Sequence, residues 1–295
     1  MARKNRFPGK NKIRLLSLLK KIYPEESSQK LYSAVLCGEI YVNGEKIRFP
    51  EELIKRGSSV EWKKNRYVGR GGYKLEGALD SFGINPEKQV WLDAGASTGG
   101  FTDCLLSKGA LAVHTVDVGY NQLAWKLRTD KRVIVHERTN IMEVEKDTLV
   151  PSPSFAVADL SFRSLRGAAS KILSLLVPSP DAVLLALVKP QFENPDEENF
   201  DGVVKSESVI RNVLELLAAD MEHEGVYIEN AALSVIAGRK GNSEIFLLLS
   251  ADPERKPPDI AEKFDSVMEE IRRRQESAKL SLPSGLPTGK PSPPR

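Results

Sequence analysis

Histidine and cysteine are scarce in this chain, with three of the first and two of the second among 295 residues. Cys37 and Cys104 lie far apart, without the spacing of a metal knuckle or a disulfide framework, and are expected to be buried or bystander thiols. His114, His136 and His223 do not cluster, and the first two sit in apolar strand patterns, so no metal is expected. No apolar run approaches the roughly 20 residues that a bilayer crossing needs. The basic start Met1-Ala2-Arg3-Lys4-Asn5-Arg6 is not followed by the apolar core of a secretion signal. The expected location is therefore the cytoplasm, with no membrane partner. Aspartate is missing from residues 1–74, which hold 18 Lys or Arg against 7 Glu, a balance of +11 inside a chain whose net charge is only +3. Such a split sets a basic front end, suited to a polyanion such as nucleic acid, on an acidic body.

Residues 1–10 read as a disordered basic arm, and a small unit follows over 11–62. One helix carries Ile13, Leu15, Leu16, Leu18 and Leu19. A second begins near Ser27, a suitable N-cap, runs through Leu31, Ala34 and Val35, and stops at Gly38. Ile40 to Ile47 forms a hairpin closed by Asn43-Gly44, and Ser59-Val60-Glu61-Trp62 adds a strand. Two helices followed by Gly38-Glu39-Ile40-Tyr41-Val42-Asn43-Gly44 resemble the S-four-type RNA-binding domain, although Arg14-Leu15-Leu16-Ser17 replaces that domain's usual Arg-Leu-Asp opening. The resemblance implies an α+β module whose cations meet RNA phosphates, gaining affinity by counterion release. The candidates are Arg14, Lys20, Lys21, Lys30 and Lys46, with Lys63, Lys64, Arg66 and Arg70 from the basic, glycine-rich linker 63–72.

From residue 73 a helix presents Leu75, Ala78, Leu79 and Phe82 on one face, and from Val90 strand and helix patterns alternate. Candidate strands cover 90–93, 111–117, 132–136, 154–158, 182–188, 226–235 and 244–250. The last two lack an intervening helix and are expected to pair antiparallel through the turn at 238–242. The implied class is α/β, a Rossmann-like seven-stranded sheet over 73–252. Residues 253–295 read as a charged helix (258–279) with a weak apolar face at Ile260, Phe264, Val267 and Ile271, then a Pro-rich disordered tail.

The first strand of that body runs into Asp93-Ala94-Gly95-Ala96-Ser97-Thr98-Gly99-Gly100-Phe101, a strand, a loop that lets a ligand approach the backbone, and a helix N-terminus. It lacks both the dinucleotide glycine fingerprint and the Lys-Ser/Thr of an ATP loop. Asp93 is a poor neighbour for phosphate and a good one for a cation. S-adenosylmethionine carries a sulfonium and an ammonium and no phosphate, and it suits this loop best. The cofactor-binding candidates are therefore Asp93, Gly95, Ala96, Ser97, Thr98, Gly99, Gly100 and Phe101. Asp117 joins them as a ribose acceptor at the end of the second strand, and Asn140, after the third, lies where an adenine would sit.

Ligands of open parallel sheets bind outside the carboxyl ends of the strands. Asp159 ends the fourth strand and Lys189 the fifth, Glu244 opens the last, and Lys74 begins the helix before the first. A lysine directly after an apolar strand is costly unless something needs it. Here the chain resembles the haemolysin-A (TlyA) family of rRNA 2′-O-methyltransferases, whose catalytic domain is of the FtsJ (RrmJ) type. The matching segments include Val68 to Leu75, Asp93 to Asp103, Val116 to Gly119, Asp159 to Phe162, Leu187 to Glu193, Gly202-Val203-Val204 and Gly241 to Glu244. The resemblance implies a catalytic tetrad of Lys74, Asp159, Lys189 and Glu244. It also implies S-adenosylmethionine as methyl donor and ribosomal RNA or ribosomal subunits, with cytidine as the modified nucleotide, as substrate. Lys189 is the expected base for the 2′-hydroxyl, with late proton loss to water as the other route. A membrane-active cytolysin, which the family's historical name suggests, would need a strongly apolar amphipathic helix that the sequence lacks. A non-catalytic RNA-binding assembly factor would not need all four tetrad positions.

Overall fold

A computed structural model describes residues 12–280, except for 37, 48, 64, 65, 162, 163, 194–203, 205, 239 and 240. The basic arm, Cys37, Lys64, Phe162, Gly202-Val203, the 239–240 turn residues and the tail from Ser281 lie outside the described residues. The chain divides into two compact units, the break falling between Val68 and Gly69.

In the first unit, β1 (Lys12–Arg14) leads directly into α1 (Leu15–Ile22), followed by α2 (Ser28–Leu36), β2 (Ile40–Val42), β3 (Glu45–Ile47), β4 (Leu53–Lys55) and β5 (Val60–Trp62). Ile13 therefore stands on a strand and not on the first helix. It pairs antiparallel with Ile54 of β4, and Arg14 is extended at φ −64°, ψ 133°, so the helix starts one residue later. The second helix begins as its sequence predicts, with Ser27 Oγ accepting the Lys30 N–H at 3.2 Å. Asn43 and Gly44 both hold positive φ, 51° and 86°, which a two-residue hairpin turn of the right twist demands. The hairpin and β5 form a three-stranded sheet centred on β2, and Leu15, Leu19, Leu31, Val35, Ile40, Val42 and Ile54 bury a common core.

The second unit opens with α3 (Gly71–Phe82), ended by Gly83 at φ 68°. It continues through β6 (Val90–Ala94), α4 (Gly100–Ser107), β7 (Ala112–Asp117), α5 (Trp125–Arg128), β8 (Val133–Glu137), β9 (Phe155–Ala158), α6 (Ala168–Leu175), β10 (Val183–Val188), α7 (Pro190–Glu193), α8 (Glu207–His223), β11 (Tyr227–Leu233), β12 (Ile245–Ser250) and α9 (Ile260–Leu280). Seven strands make one sheet in the order β11-β12-β10-β9-β6-β7-β8. All neighbours are parallel except β12, which runs antiparallel to both β10 and β11. Each strand lies within two residues of the span its pattern predicts. The reason is burial on both faces, which makes a central strand such as Val183–Val188 continuously apolar.

The chain leaves β6 toward β7 on one side and places β9 on the other, so the topological switch point, where a crevice opens, falls at the end of β6. The core also reaches further than expected. Phe264, Val267, Met268 and Ile271 of α9 are each at most 3% exposed and join the cluster that contains β10 to β12. The segment after Asp252 is thus part of the folded body as far as the core reaches.

Candidate active site

Three left-handed residues, Gly95 (φ 85°), Ser97 (φ 48°) and Gly99 (φ 90°), turn the chain sharply between β6 and α4. A Cβ on Gly95 would stand 2.7 Å from the Asp159 carbonyl oxygen, so the loop lies directly against the end of β9. Asp117 holds the loop in shape: its two oxygens accept the backbone N–H groups of Ser97 at 2.7 Å and Gly119 at 2.6 Å. A carboxylate has about four lone-pair sites, so two remain for a ligand's hydroxyls.

Asp93 is fully buried. One oxygen accepts the Thr102 backbone N–H at 3.0 Å and the Thr102 hydroxyl at 2.6 Å, and the other has no donor among the described residues. Burial, opposed by Thr102 and reinforced by the charges of Asp159 and Asp117, pushes its carboxyl up from 3.8 to about 7. A buried acid with one oxygen short of a donor, and with other acids as its charged neighbours, is a place that favours a cationic ligand.

The four candidates for chemistry meet on adjoining strand ends. Register pairs Val188 of β10 with Ile245 of β12, so Lys189 and Glu244 are the next residues beyond that pair. Ala186 pairs with Ala158, and the Asp159 N–H donates to the Ala94 carbonyl at 3.0 Å, which sets Asp159 between β10 and β6. Lys74 reaches in from the first turn of α3. Its ammonium, on a residue 7% exposed, is hydrogen-bonded to the carboxylate of Glu244, itself 4% exposed. Two charges buried this deeply persist only as a pair. The Lys189 ammonium lies 2.5 Å from Asp159 Oδ1 and donates to the Leu160 carbonyl at 3.0 Å and the Ser161 hydroxyl at 3.1 Å. The result is two opposite-charge pairs side by side at the carboxyl edge of the sheet.

Other candidates hold different positions. The Phe101 ring is 4% exposed and packs 5.9 Å from Phe246, so it belongs to the core under the loop and not to a ligand surface. Asn140 spends its side-chain oxygen on the Met142 N–H at 3.1 Å, capping a short 3₁₀ turn. Gly69 to Gly72 are site structure more than linker: a Cβ on Gly69 would meet the Thr98 hydroxyl at 3.0 Å, and one on Gly100 would meet the Gly72 nitrogen at 3.1 Å. Among the phosphate-facing candidates, Arg14, Lys20, Lys21, Lys30, Lys46, Lys63, Arg66 and Arg70 are all exposed. Arg14 and Lys30 share their charge with Glu51 and Glu26, while Lys46 and Lys63 lie over the Tyr41 ring.

Sequence reasoning missed Thr102, which holds Asp93, and Gly238, whose Cβ would sit 2.6 Å from a Glu244 oxygen. It also missed the buried Glu193. Thr102 carried a usable signal, a hydroxyl near the start of the helix after the loop. The other two depend on partners distant in sequence or across a turn. Among the described residues no three His, Cys, Asp or Glu side chains gather as a metal would require, and no helix is long and apolar enough to cross a membrane.

A seven-stranded sheet with an antiparallel β12, a glycine loop after its switch-point strand, and acids at the ends of β6 and β7 defines a Rossmann-like methyltransferase. Residues 67–250 match the model of the FtsJ-like methyltransferases, and the chain belongs to that family. Its methyl donor is S-adenosylmethionine, and the cation-favouring Asp93 fits that donor. The chain is 41% identical to the Bacillus subtilis protein YqxC, named as a candidate rRNA methyltransferase, over 87% of this chain and 90% of that one. It is 36% identical to the 16S/23S rRNA (cytidine-2′-O)-methyltransferase TlyA of Mycobacterium tuberculosis, covering 78% of this chain and 86% of that protein. A solved structure from Streptococcus thermophilus, described as a candidate hemolysin, superposes with a TM-score of 0.70 at 35% identity, covering 92% of this chain and 99% of that one.

Proposed function

We propose that this protein methylates the ribose 2′-hydroxyl of a cytidine in ribosomal RNA, working in the cytoplasm. The observation that carries the reading is the double ion pair, Lys74 with Glu244 and Lys189 with Asp159, on adjoining strand ends beside the glycine loop. When bound, S-adenosylmethionine supplies a methyl carbon activated by a sulfonium. Asp93, the backbone of residues 95–100 and the spare lone pairs of Asp117 would hold it. A ribose hydroxyl is a weak nucleophile and must be aligned and relieved of its proton. In this reading Lys189, in its uncharged form, takes that proton. Asp159, the Leu160 carbonyl and the Ser161 hydroxyl fix the direction of the amine. Glu244 neutralises Lys74, which sets a second cation beside the ribose without leaving a buried charge uncompensated.

The basic front unit, residues 11–62, is assigned to RNA binding as an S-four-type module, with the body that begins at Gly69 and includes α9 as the catalytic domain. Two helices, the Asn43-Gly44 hairpin and the exposed cations Arg14, Lys20, Lys21, Lys30 and Lys46 support that assignment. Arginine at position 189 keeps a cation but does not release its proton. Lys189→Arg is therefore expected to bind cofactor and RNA as wild type does and to lose about a hundredfold or more in turnover. Transfer of labelled methyl to ribosomal subunits checks this, and a near wild-type rate would sink the assignment of Lys189 as base.

A further inference from the structure

Lys189 is followed at once by α7, a single turn that ends at Glu193, and Glu193 is only 4% exposed. A buried carboxylate needs donors, and this one has several. Oε1 accepts the Leu165 backbone N–H at 2.8 Å, while Oε2 accepts the Ser164 hydroxyl at 2.5 Å and an Arg166 guanidinium N–H at 3.0 Å. All three donors lie on the loop that leaves β9, the same loop whose Asp159, Leu160 and Ser161 hold the Lys189 ammonium. Residues 189–193 are thus joined twice with opposite polarity, to 159–161 by a cation at one end and to 164–166 by an anion at the other. Arg166 and Gly167 carry the connection on to α8 and its C-cap, through Asp220 at 2.6 Å and Glu224 at 2.8 Å. Between Lys189 and Glu193 the backbone is closed by the Phe192 N–H on the Lys189 carbonyl at 2.8 Å.

We infer that Glu193 is a positioning residue for the methyl transfer: its carboxylate pins the turn after β10 to the loop after β9 and so sets where the Lys189 amine stands. This rests on the reading of Lys189 as the group beside the reacting hydroxyl. A displacement near 1 Å at such a group costs on the order of a hundredfold in rate. Gln at 193 keeps an acceptor for Leu165 but presents no charge to Arg166, which loosens the join without emptying it.

The test is Glu193→Gln in the full-length protein, assayed for kcat, for KM of the ribosomal substrate, for cofactor Kd and for melting temperature. The expected result is a kcat lower by about tenfold to a hundredfold, with KM and cofactor Kd within about twofold of wild type. Arg166→Met approaches the same carboxylate from its half-exposed side and decides the matter if the first variant does not fold. It should lower kcat in the same way, and the double variant should be no worse than Glu193→Gln alone. The inference is overturned if kcat is unchanged, or if kcat, KM, cofactor Kd and melting temperature all worsen together as general damage would make them. Wild-type protein that transfers no methyl to RNA would instead contradict the reading beneath it.

Discussion

Asp93 is held against its own tendency to ionise. Its carboxyl is raised from 3.8 to about 7 by burial, so between those values the ligand-free fold keeps a proton that the unfolded chain has released. Stability of the ligand-free protein should therefore fall as pH rises from about 4 to about 7 on account of this group, and level off above. Asp93→Asn removes that contribution. The variant is expected to melt higher than wild type at pH 8, with the gap closing toward pH 4, and to lose cofactor binding at every pH. Calorimetry across that range with and without S-adenosylmethionine checks both halves, and a variant that melts lower than wild type at pH 8 would contradict the account. The same opposition explains why a good ligand for this loop is a cation: it restores the charge that the protein itself does not balance.

The glycine loop and α9 depend on different physics. Gly95→Ala would force a side chain into a left-handed backbone and set its Cβ 2.7 Å from the Asp159 carbonyl oxygen. A loss of about 1–3 kcal/mol is expected, together with loss of methyl transfer because Asp159 must shift. Phe264→Ala empties a site 1% exposed, and denaturant titration should show a loss of about 3–5 kcal/mol. That variant should bind cofactor normally at low temperature.

Much of the fold was legible in the sequence because the strands of a covered sheet are apolar without interruption and its turns demand glycine. Asp159, Lys189 and Glu244 of the double ion pair were legible because polar residues at strand ends stand out against such runs; Lys74, in the first turn of α3, carries no such mark. Ile13 misled because a three-residue strand leads directly into α1, and apolar spacing does not mark where one stops. The apolar stripe of α9 was diluted by Glu and Arg on its other faces, so its share of the core was undervalued. Glu193 carried no signal of its own because its partners, Ser164 to Arg166, lie nearly 30 residues away.

The two units divide the charge of the whole chain, +9 in residues 1–68 and −6 in residues 69–295. A basic module that binds by neutralising phosphates gives a salt-dependent affinity, with a slope of about 0.7–0.9 per phosphate. Replacing Lys20 and Lys21 with Gln should weaken RNA binding at low salt and flatten the plot of log affinity against log salt by about that amount for each phosphate no longer neutralised. Cofactor affinity should stay as it was. Equal slopes for wild type and variant would remove these lysines from the interface. The acidic body keeps its function in the crevice, where two ammonium–carboxylate pairs stand beside a loop suited to a sulfonium donor. The most direct test of that arrangement is to incubate ribosomal subunits with the protein and labelled S-adenosylmethionine and then map the label in the RNA. The account predicts label on a ribose 2′-oxygen of cytidine, seen as a phosphodiester resistant to alkali, formed about a hundredfold or more slowly by Lys189→Arg. Label on a base, or equal labelling by that variant, would contradict it.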